Sequence, residues 1–294
     1  MDVVNCVEQE HGENFSLYRG DCVELIRGLP DDSIGYSVFS PPFASLYTYS
    51  ASPRDMGNSR DHGEFFAHYS YLAGELRRVM MPGRLVSVHC MLLPTSKSRD
   101  GFIGLTDFRG DIIRAMQAAG FIYHSEVTIW KDPVTSMQRT KAIGLLYKQL
   151  RKDSCMSRQG IPDYVCTFRK DGVNPIPVGH TPADYPLDLW QRVASPVWMD
   201  IDQQDTLQHR SARADEDERH ICPLQLGVIR RCIDLWSAEG DTVLSPFAGI
   251  GSEGHVALLA GRRFVGFELK DTYYEQASRN LHAVDLGHRQ GSLI

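Results

Sequence analysis

Paired cysteines, long apolar runs, internal repeats and an overall excess of positive charge are all missing from this chain. Its seven cysteines, at 6, 22, 90, 155, 166, 222 and 232, form no CxxC pair, so neither a zinc site nor a redox dithiol is expected. His220 and Cys222 lie close together but have no second pair to complete a ligand set, and no metal is expected. The most apolar stretches, such as "RLVSVHCMLL", are too short to cross a bilayer, and "MDVVNCVEQEHGENF" has no apolar core of signal-peptide length. The expectation is a cytoplasmic protein with no membrane contact. With 42% hydrophobic and 23% charged residues, the 294-residue chain has an ordinary globular balance and ample material for a core.

A net charge of −6 would argue against a polyanionic partner if it were spread evenly, but it is not. Residues 131 to 170 hold nine Lys or Arg against three Asp, which is +6 locally and leaves −12 for the remainder. Such a segment suits phosphate contacts, with Arg139, Lys141, Lys148, Arg151 and Lys152 as the candidates. The same residues in "KAIGLLYKQLRKD" also fit the solvated face of an amphipathic helix.

Strand-like and helix-like segments alternate through the first half, the pattern of a mostly parallel sheet covered by helices. "FSLYRGD" and "SIGYSVFS" read as strands around a short helix at 22 to 28, and Phe65, Phe66, Tyr69, Leu72, Leu76 and Val79 have helical spacing. "MPG" is expected to stop that helix before a buried strand at 84 to 90. Asp107 is placed to cap a helix running to Ala119, followed by a strand at 121 to 130. From 131 to 216 the chain reads as irregular, rich in Pro, Arg and Trp, and ends in the acidic run "ADEDER". Alternation then resumes: helix 223 to 236, strand 241 to 247, helix from 251, strand 262 to 269 and a final helix. The expected division is a catalytic body from 1–130 and 217–294, with 131–216 inserted into it.

Two turns carry chemistry. "FAGIGSEG" places Gly249, Gly251 and Gly254 in G-x-G-x-x-G spacing after an expected strand, and Glu268 ends the next strand. Glycine admits a ligand close to the backbone, and a carboxylate one strand later can accept from ribose hydroxyls. By itself this fits any adenosine cofactor, NAD included, or a turn that merely packs helix on strand. Only about forty residues follow Gly254, too few for the rest of a dinucleotide-binding sheet, so the missing strands must come from the N-terminal half. The second turn, Ser40-Pro41-Pro42-Phe43, follows another expected strand end, and one crevice could hold both.

In this order the two turns resemble those of the amino-group DNA methyltransferases that use S-adenosylmethionine (AdoMet), in their permuted β-type arrangement. Those enzymes carry [D/N/S]-P-P-[Y/F], then a DNA-recognition insertion, then D-P-F-x-G-x-G, here Ser245-Pro246-Phe247-Ala248-Gly249-Ile250-Gly251. "GDCVELIRGLPDDSIGYSVFSPPF" is similar to the family's lead-in, with Asp21 where the cofactor's adenine is bound, and "HICPLQLGVIRRCIDLW" to the helix before the glycine loop. The resemblance covers roughly 15 to 130 and 218 to 282, and the whole chain looks like phage or prophage modification enzymes, so the implied setting is a bacterial or phage-infected cell. It implies a Rossmann-like AdoMet-dependent methyltransferase fold, AdoMet as cofactor, double-stranded DNA as partner and, by analogy alone, a homodimer. The implied cofactor residues are Asp21, Ser245, Phe247, Gly249, Gly251 and Glu268. Ser245 departs from the family's usual Asp: a neutral hydrogen bond replaces a charge-assisted one of roughly twice the strength, leaving room for a chain that binds but turns over weakly.

The resemblance assigns Ser40 Oγ and the Pro41 carbonyl to the two hydrogens of an exocyclic amine, with the prolines holding that carbonyl and Phe43 stacking on an extruded base. Serine is no general base at neutral pH, so its expected role is orientation and charge stabilisation. Ser at the first position is more often associated with cytosine N4 than with adenine N6, and cytosine is favoured on that ground, with adenine kept open. The long stretch from Ala44 to Gly63, with Tyr47, Tyr49 and Arg54, reads as a lid or as a plain connector.

Overall fold

The computed structural model describes residues 6–43, 56, 59, 61–140, 143–183, 185–207 and 223–291. A first hairpin pairs β1 (Glu8–His11) with β2 (Phe15–Arg19), then a single turn α1 (Cys22–Leu25) leads to β3 (Ile34–Phe39). Next come α2 (His62–Val79), β4 (Met80–Met91), β5 (Leu93–Pro94), α3 (Lys97–Asp100), β6 (Leu105–Thr106), α4 (Phe108–Ala118) and β7 (Ile122–Ile129). The middle region holds α5 (Pro133–Thr140), α6 (Tyr147–Lys152), β8 (Asp163–Arg169), α7 (Leu187–Val193) and β9 (Val197–Trp198). The chain closes with α8 (Leu226–Trp236), β10 (Thr242–Ser245), α9 (Ser252–Leu259), β11 (Arg263–Glu268) and α10 (Asp271–Gly291).

One sheet runs in the order β1-β2-β11-β10-β3-β4-β8-β7-β9. Its middle strands β2, β11, β10, β3 and β4 are parallel, so Arg19, Glu268, Ser245, Phe39 and Met91 end at one rim. All six residues of β3 are buried, as a strand covered on both faces requires. On one face, α2 inserts Phe65, Tyr69, Leu72, Leu76 and Val79 and packs with Phe108, Ile112 and Met116 of α4. On the other, α8, α9 and α10 bury Val228, Ile229, Val256, Ala257, Ala277 and Leu281. The caps follow from the sequence: Asp61 Oδ1 accepts from the Glu64 amide at 2.9 Å and Asp107 Oδ1 from the Gly110 amide at 2.9 Å. Among the described residues no helix is long and apolar enough to cross a membrane.

Three expectations change. The stretch read as irregular from 131 to 216 supplies β8, which lies antiparallel between β4 and β7, and β9, which pairs with β7. β8 escapes a pattern search because Asp163 and Arg169 bracket its apolar residues; it is stabilised by neighbours on both edges, not by its own periodicity. "MPG" does end α2, but β4 starts at once, and Pro82 and Gly83 lie inside the strand. The helix expected over 141 to 153 is confined to α6, after a 3-10 turn at Ile143–Leu145.

At the rim opposite the strand ends, Arg84 and Asp241 form an ion pair that is 2% and 8% exposed respectively. Arg84 also donates through Nε to the Gly35 carbonyl at 2.8 Å, and Asp241 Oδ2 accepts from the Ala238 amide at 2.6 Å. The pair ties β4 and β3 to the turn entering β10, joining the two ends of the chain. Arg84→Met strands a buried carboxylate and is expected to lower unfolding free energy by ~3–5 kcal/mol in urea titrations. A loss below ~1 kcal/mol would show that the pair contributes only packing.

Candidate active site

A single cavity opens at the carboxyl rim of β3, β10 and β11. It is lined by the turn after β3 and the turn after β10 together. Their strands are neighbours: Tyr36 is paired with Val243, and Ser37 Oγ donates to the Leu244 carbonyl at 2.9 Å across 207 residues of sequence. Phe39 and Phe247 then meet with ring centroids 5.7 Å apart. Residues 40 to 43 all line the cavity. The Phe43 ring stands edge-on to His89 at 6.4 Å and to Phe108 at 6.1 Å, and helix α4 thereby fixes the far side of the turn.

The three glycines of the second turn serve three ends. Gly249, at φ 54°, lines the cavity and has no atom within 4 Å of where a Cβ would sit, so ligand can reach its backbone. Gly251 does not line the cavity: at φ 86° it begins α9, and a Cβ there would come within 3.3 Å of Ala277 in α10. Gly254 admits Phe264, whose ring would lie 2.5 Å from an added Cβ.

Glu268, at the end of β11, accepts from the Gly249 amide through Oε2 and from the Lys270 amide through Oε1, each at 2.8 Å. It therefore braces the glycine turn, and a carboxylate oxygen that accepts one backbone hydrogen bond can accept a second from a ligand. Asp21, just past the neighbouring end of β2, also lines the cavity and caps α1 by accepting from the Val23 amide at 2.9 Å. Phe247 also lines the cavity. Ser245 does not: it is fully buried, and its Oγ has no partner among the described residues.

The basic candidates lie elsewhere. Lys148, Arg151 and Lys152 are exposed on α6 and do not line the cavity. Arg139 falls in α5, while its side chain, Lys141, Tyr47, Tyr49, Arg54, His220 and Cys222 lie outside the described residues. Met56, from the expected lid, does line the cavity. Among the described residues no group of three His, Cys, Asp or Glu is gathered for a metal ion.

Sequence reasoning missed what stands behind Ser40. Its Oγ lies 3.1 Å from His89 Nδ1, and His89 Nε2 lies 3.0 Å from Asp163 Oδ2. Lys131, counted above among the basic residues of the 131–170 segment, is ion-paired to the same carboxylate oxygen. β4 presents His89 and β8 presents Asp163, a pairing that needs the strand hidden in the irregular stretch. Burial raises the Asp163 carboxyl, but the hydrogen bond and charge of His89 and the charge of Lys131 outweigh it and hold the group below the ordinary carboxylate range. A histidine closing the buried strand "RLVSVHC" was the one signal available.

Glu253, in the first turn of α9, also lines the cavity. Burial pushes its carboxyl up to about 8, against its own backbone hydrogen bond and with the charge of Glu268 adding to the rise. It is therefore a neutral acid near pH 7.

Helices on both faces of a mostly parallel sheet, with a glycine turn at its carboxyl rim, suit an adenosine cofactor in general, and likeness to solved structures makes this the AdoMet-dependent methyltransferase fold. TTHA0409 of Thermus thermophilus, solved in complex with S-adenosyl-L-methionine, superposes with a TM-score of 0.68 at 21% identity, covering 93% of this chain and 97% of that one. The cytosine-N4-specific PvuII DNA methyltransferase gives 0.66 at 17% identity, covering 96% and 95%. The DNA methylase family of N6 and N4 amino-methyltransferases matches residues 36–279, and the chain belongs to it. The type II methyltransferase M.BamHI of Bacillus amyloliquefaciens is 24% identical over 259 residues, 86% of this chain. The DNA adenine methyltransferase YhdJ of Escherichia coli K12 is 39% identical over 67 residues. The chain spans about half the length of M.BamHI and about a quarter of YhdJ, by 54% and 23% coverage.

The raised Glu253 carboxyl has a consequence for stability. Its folded value, about 8, exceeds its ordinary 4.5, so its contribution is complete below 4.5 and is lost as pH rises through about 8. Glu253→Gln cannot ionise, so its melting temperature relative to the wild type should climb between about pH 5 and about pH 8.5. A constant difference across that range would mean that Glu253 titrates normally.

Proposed function

We propose that this chain transfers a methyl group from AdoMet to the exocyclic amine of a base extruded from duplex DNA, most readily cytosine N4. The observation that carries this reading is the single cavity lined by Ser40 to Phe43 and by Phe247 to Gly249. The residues fit AdoMet: Gly249 leaves its backbone open, Glu268 offers carboxylate oxygens at the strand end, and Asp21 lines the same cavity.

Bound AdoMet supplies an electrophilic methyl carbon, and the protein's task is to bring a poor nucleophile in line with it. Ser40 Oγ and the Pro41 carbonyl accept the two amine hydrogens and turn the nitrogen lone pair toward that carbon. Pro41 and Pro42 hold the carbonyl by their fixed φ, and Phe43, braced by Phe108, packs on the base. Residues 131–216, apart from the sheet strands β8 and β9, form the DNA-facing region, with Arg139, Lys141, Lys148, Arg151 and Lys152 at phosphates. Support for cytosine is the serine that opens the Ser-Pro-Pro-Phe turn and the likeness in fold to a cytosine-N4-specific enzyme. The match to an adenine methyltransferase over 67 residues favours a second reading, adenine N6.

Unmodified DNA incubated with the protein and AdoMet, then digested and analysed by nucleoside mass spectrometry, should yield N4-methylcytosine. N6-methyladenine would select the second reading, and cofactor and DNA binding without either product would mark a chain that has lost turnover, as serine in place of aspartate at position 245 allows. Ser40→Ala should lower single-turnover rate by ~10²-fold with AdoMet affinity retained, whereas Glu268→Ala should chiefly weaken AdoMet binding. Replacing Lys148, Arg151 and Lys152 with Ala should reduce the slope of log affinity against log salt by ~2.7; an unchanged slope would return α6 to a solvated surface.

A further inference from the structure

We infer that His89 and Asp163 are positioning residues that set the polarity of the Ser40 hydroxyl and take up, through it, the proton the amine must lose. This rests on the methyltransferase reading and assigns to the same site a proton route that the Ser-Pro-Pro-Phe turn alone does not supply. The chain of contacts runs inward from the cavity: Ser40 Oγ to His89 Nδ1 at 3.1 Å, His89 Nε2 to Asp163 Oδ2 at 3.0 Å, and Lys131 Nζ on that same oxygen. His89 is 7% exposed and Asp163 1%, so the inner links are shielded from water.

For a neutral His89 imidazole, the direction of each hydrogen bond follows from the donors present. An ionised Asp163 can only accept, so the hydrogen between it and His89 sits on Nε2. A neutral imidazole protonated at Nε2 has a bare Nδ1, which can only accept. Ser40 must then donate its one hydrogen to Nδ1, and both of its lone pairs remain for the cavity. Toward a bound amine the serine is thereby an acceptor, the polarity that amine methylation needs. Without His89 the hydroxyl rotates, and it presents its hydrogen to the amine for part of the time.

The same chain handles the proton. As the bond from methyl carbon to amine nitrogen forms and the carbon–sulfur bond breaks, the nitrogen gains a positive charge and must release one of its hydrogens. That hydrogen passes to Ser40 Oγ while the serine's own moves to His89 Nδ1, leaving serine neutral and an imidazolium facing Asp163. Once the product has left, the imidazolium returns its proton through Ser40 Oγ to water in the open cavity, and the relay resets. The groups around the imidazole are Ser40 and the Phe43 ring from the β3 turn, Asp163 from β8 and, through Asp163, Lys131 after β7.

Two measurements test this. Nitrogen-15 NMR of histidine-labelled, ligand-free protein should show His89 hydrogen-bearing at Nε2 and bare at Nδ1; the opposite tautomer overturns the inference whatever the enzyme methylates. In single-turnover methylation, His89→Ala should lose ~10²-fold in rate with AdoMet and DNA affinities unchanged. His89→Asn, whose Oδ1 falls near the position of Nδ1, should recover part of the loss. In the Ser40→Ala background, removing His89 should cost nothing further, because the relay acts only through that hydroxyl. Losses that add in the double variant, or an unimpaired His89→Ala enzyme, would reduce His89 to a packing residue while leaving the methyltransferase reading intact.

Discussion

Parallel pairing of β3 with β10 is the constraint on which the rest depends. The two strands come from opposite ends of the chain, and their register, Tyr36 beside Val243 and Ser37 beside Leu244, leaves both carboxyl ends at one rim. Every parallel strand sends its chain out of the sheet at that rim, so the turns there are adjacent in space however far apart they are in sequence. Helices on both faces exclude water from the strands, and a slip of one residue would turn each side chain to the wrong face. The buried Arg84–Asp241 pair at the other rim holds the same junction from below.

Three acids line the cavity and a fourth, Asp163, lies buried behind His89, and each is handled differently. Glu268 is held by two backbone amides, Asp21 caps a short helix, and Asp163 is matched by His89 and Lys131. Glu253, buried and near the charge of Glu268, takes up a proton instead. The result is a crevice whose carboxylates are oriented by backbone and histidine partners and whose charge is partly discharged by burial.

The turn after β3 shows how several weak features become a specific device. Two prolines restrict the backbone, Phe39 and Phe43 anchor it on either side, and Phe108 fills the space behind Phe43. Ser40 is left facing both the cavity and His89. None of these contacts is strong, and their joint geometry is what orders the site.

Much of this was legible in the residues. Alternating apolar runs announced the parallel sheet, Asp107 marked the start of α4, and the two turns with their order along the chain identified the family before any contact was known. Local chemistry could do this because strand periods, helix caps, glycine spacing and proline pairs act over a few residues. What only the tertiary structure decided were long-range choices: that β8 slips between β4 and β7, that Asp163 thereby reaches His89, that Gly251 serves α10 while Gly249 serves the cavity, and that Lys131 faces a carboxylate. Those outcomes depend on which distant surfaces pack together, and no window of neighbouring residues contains that information.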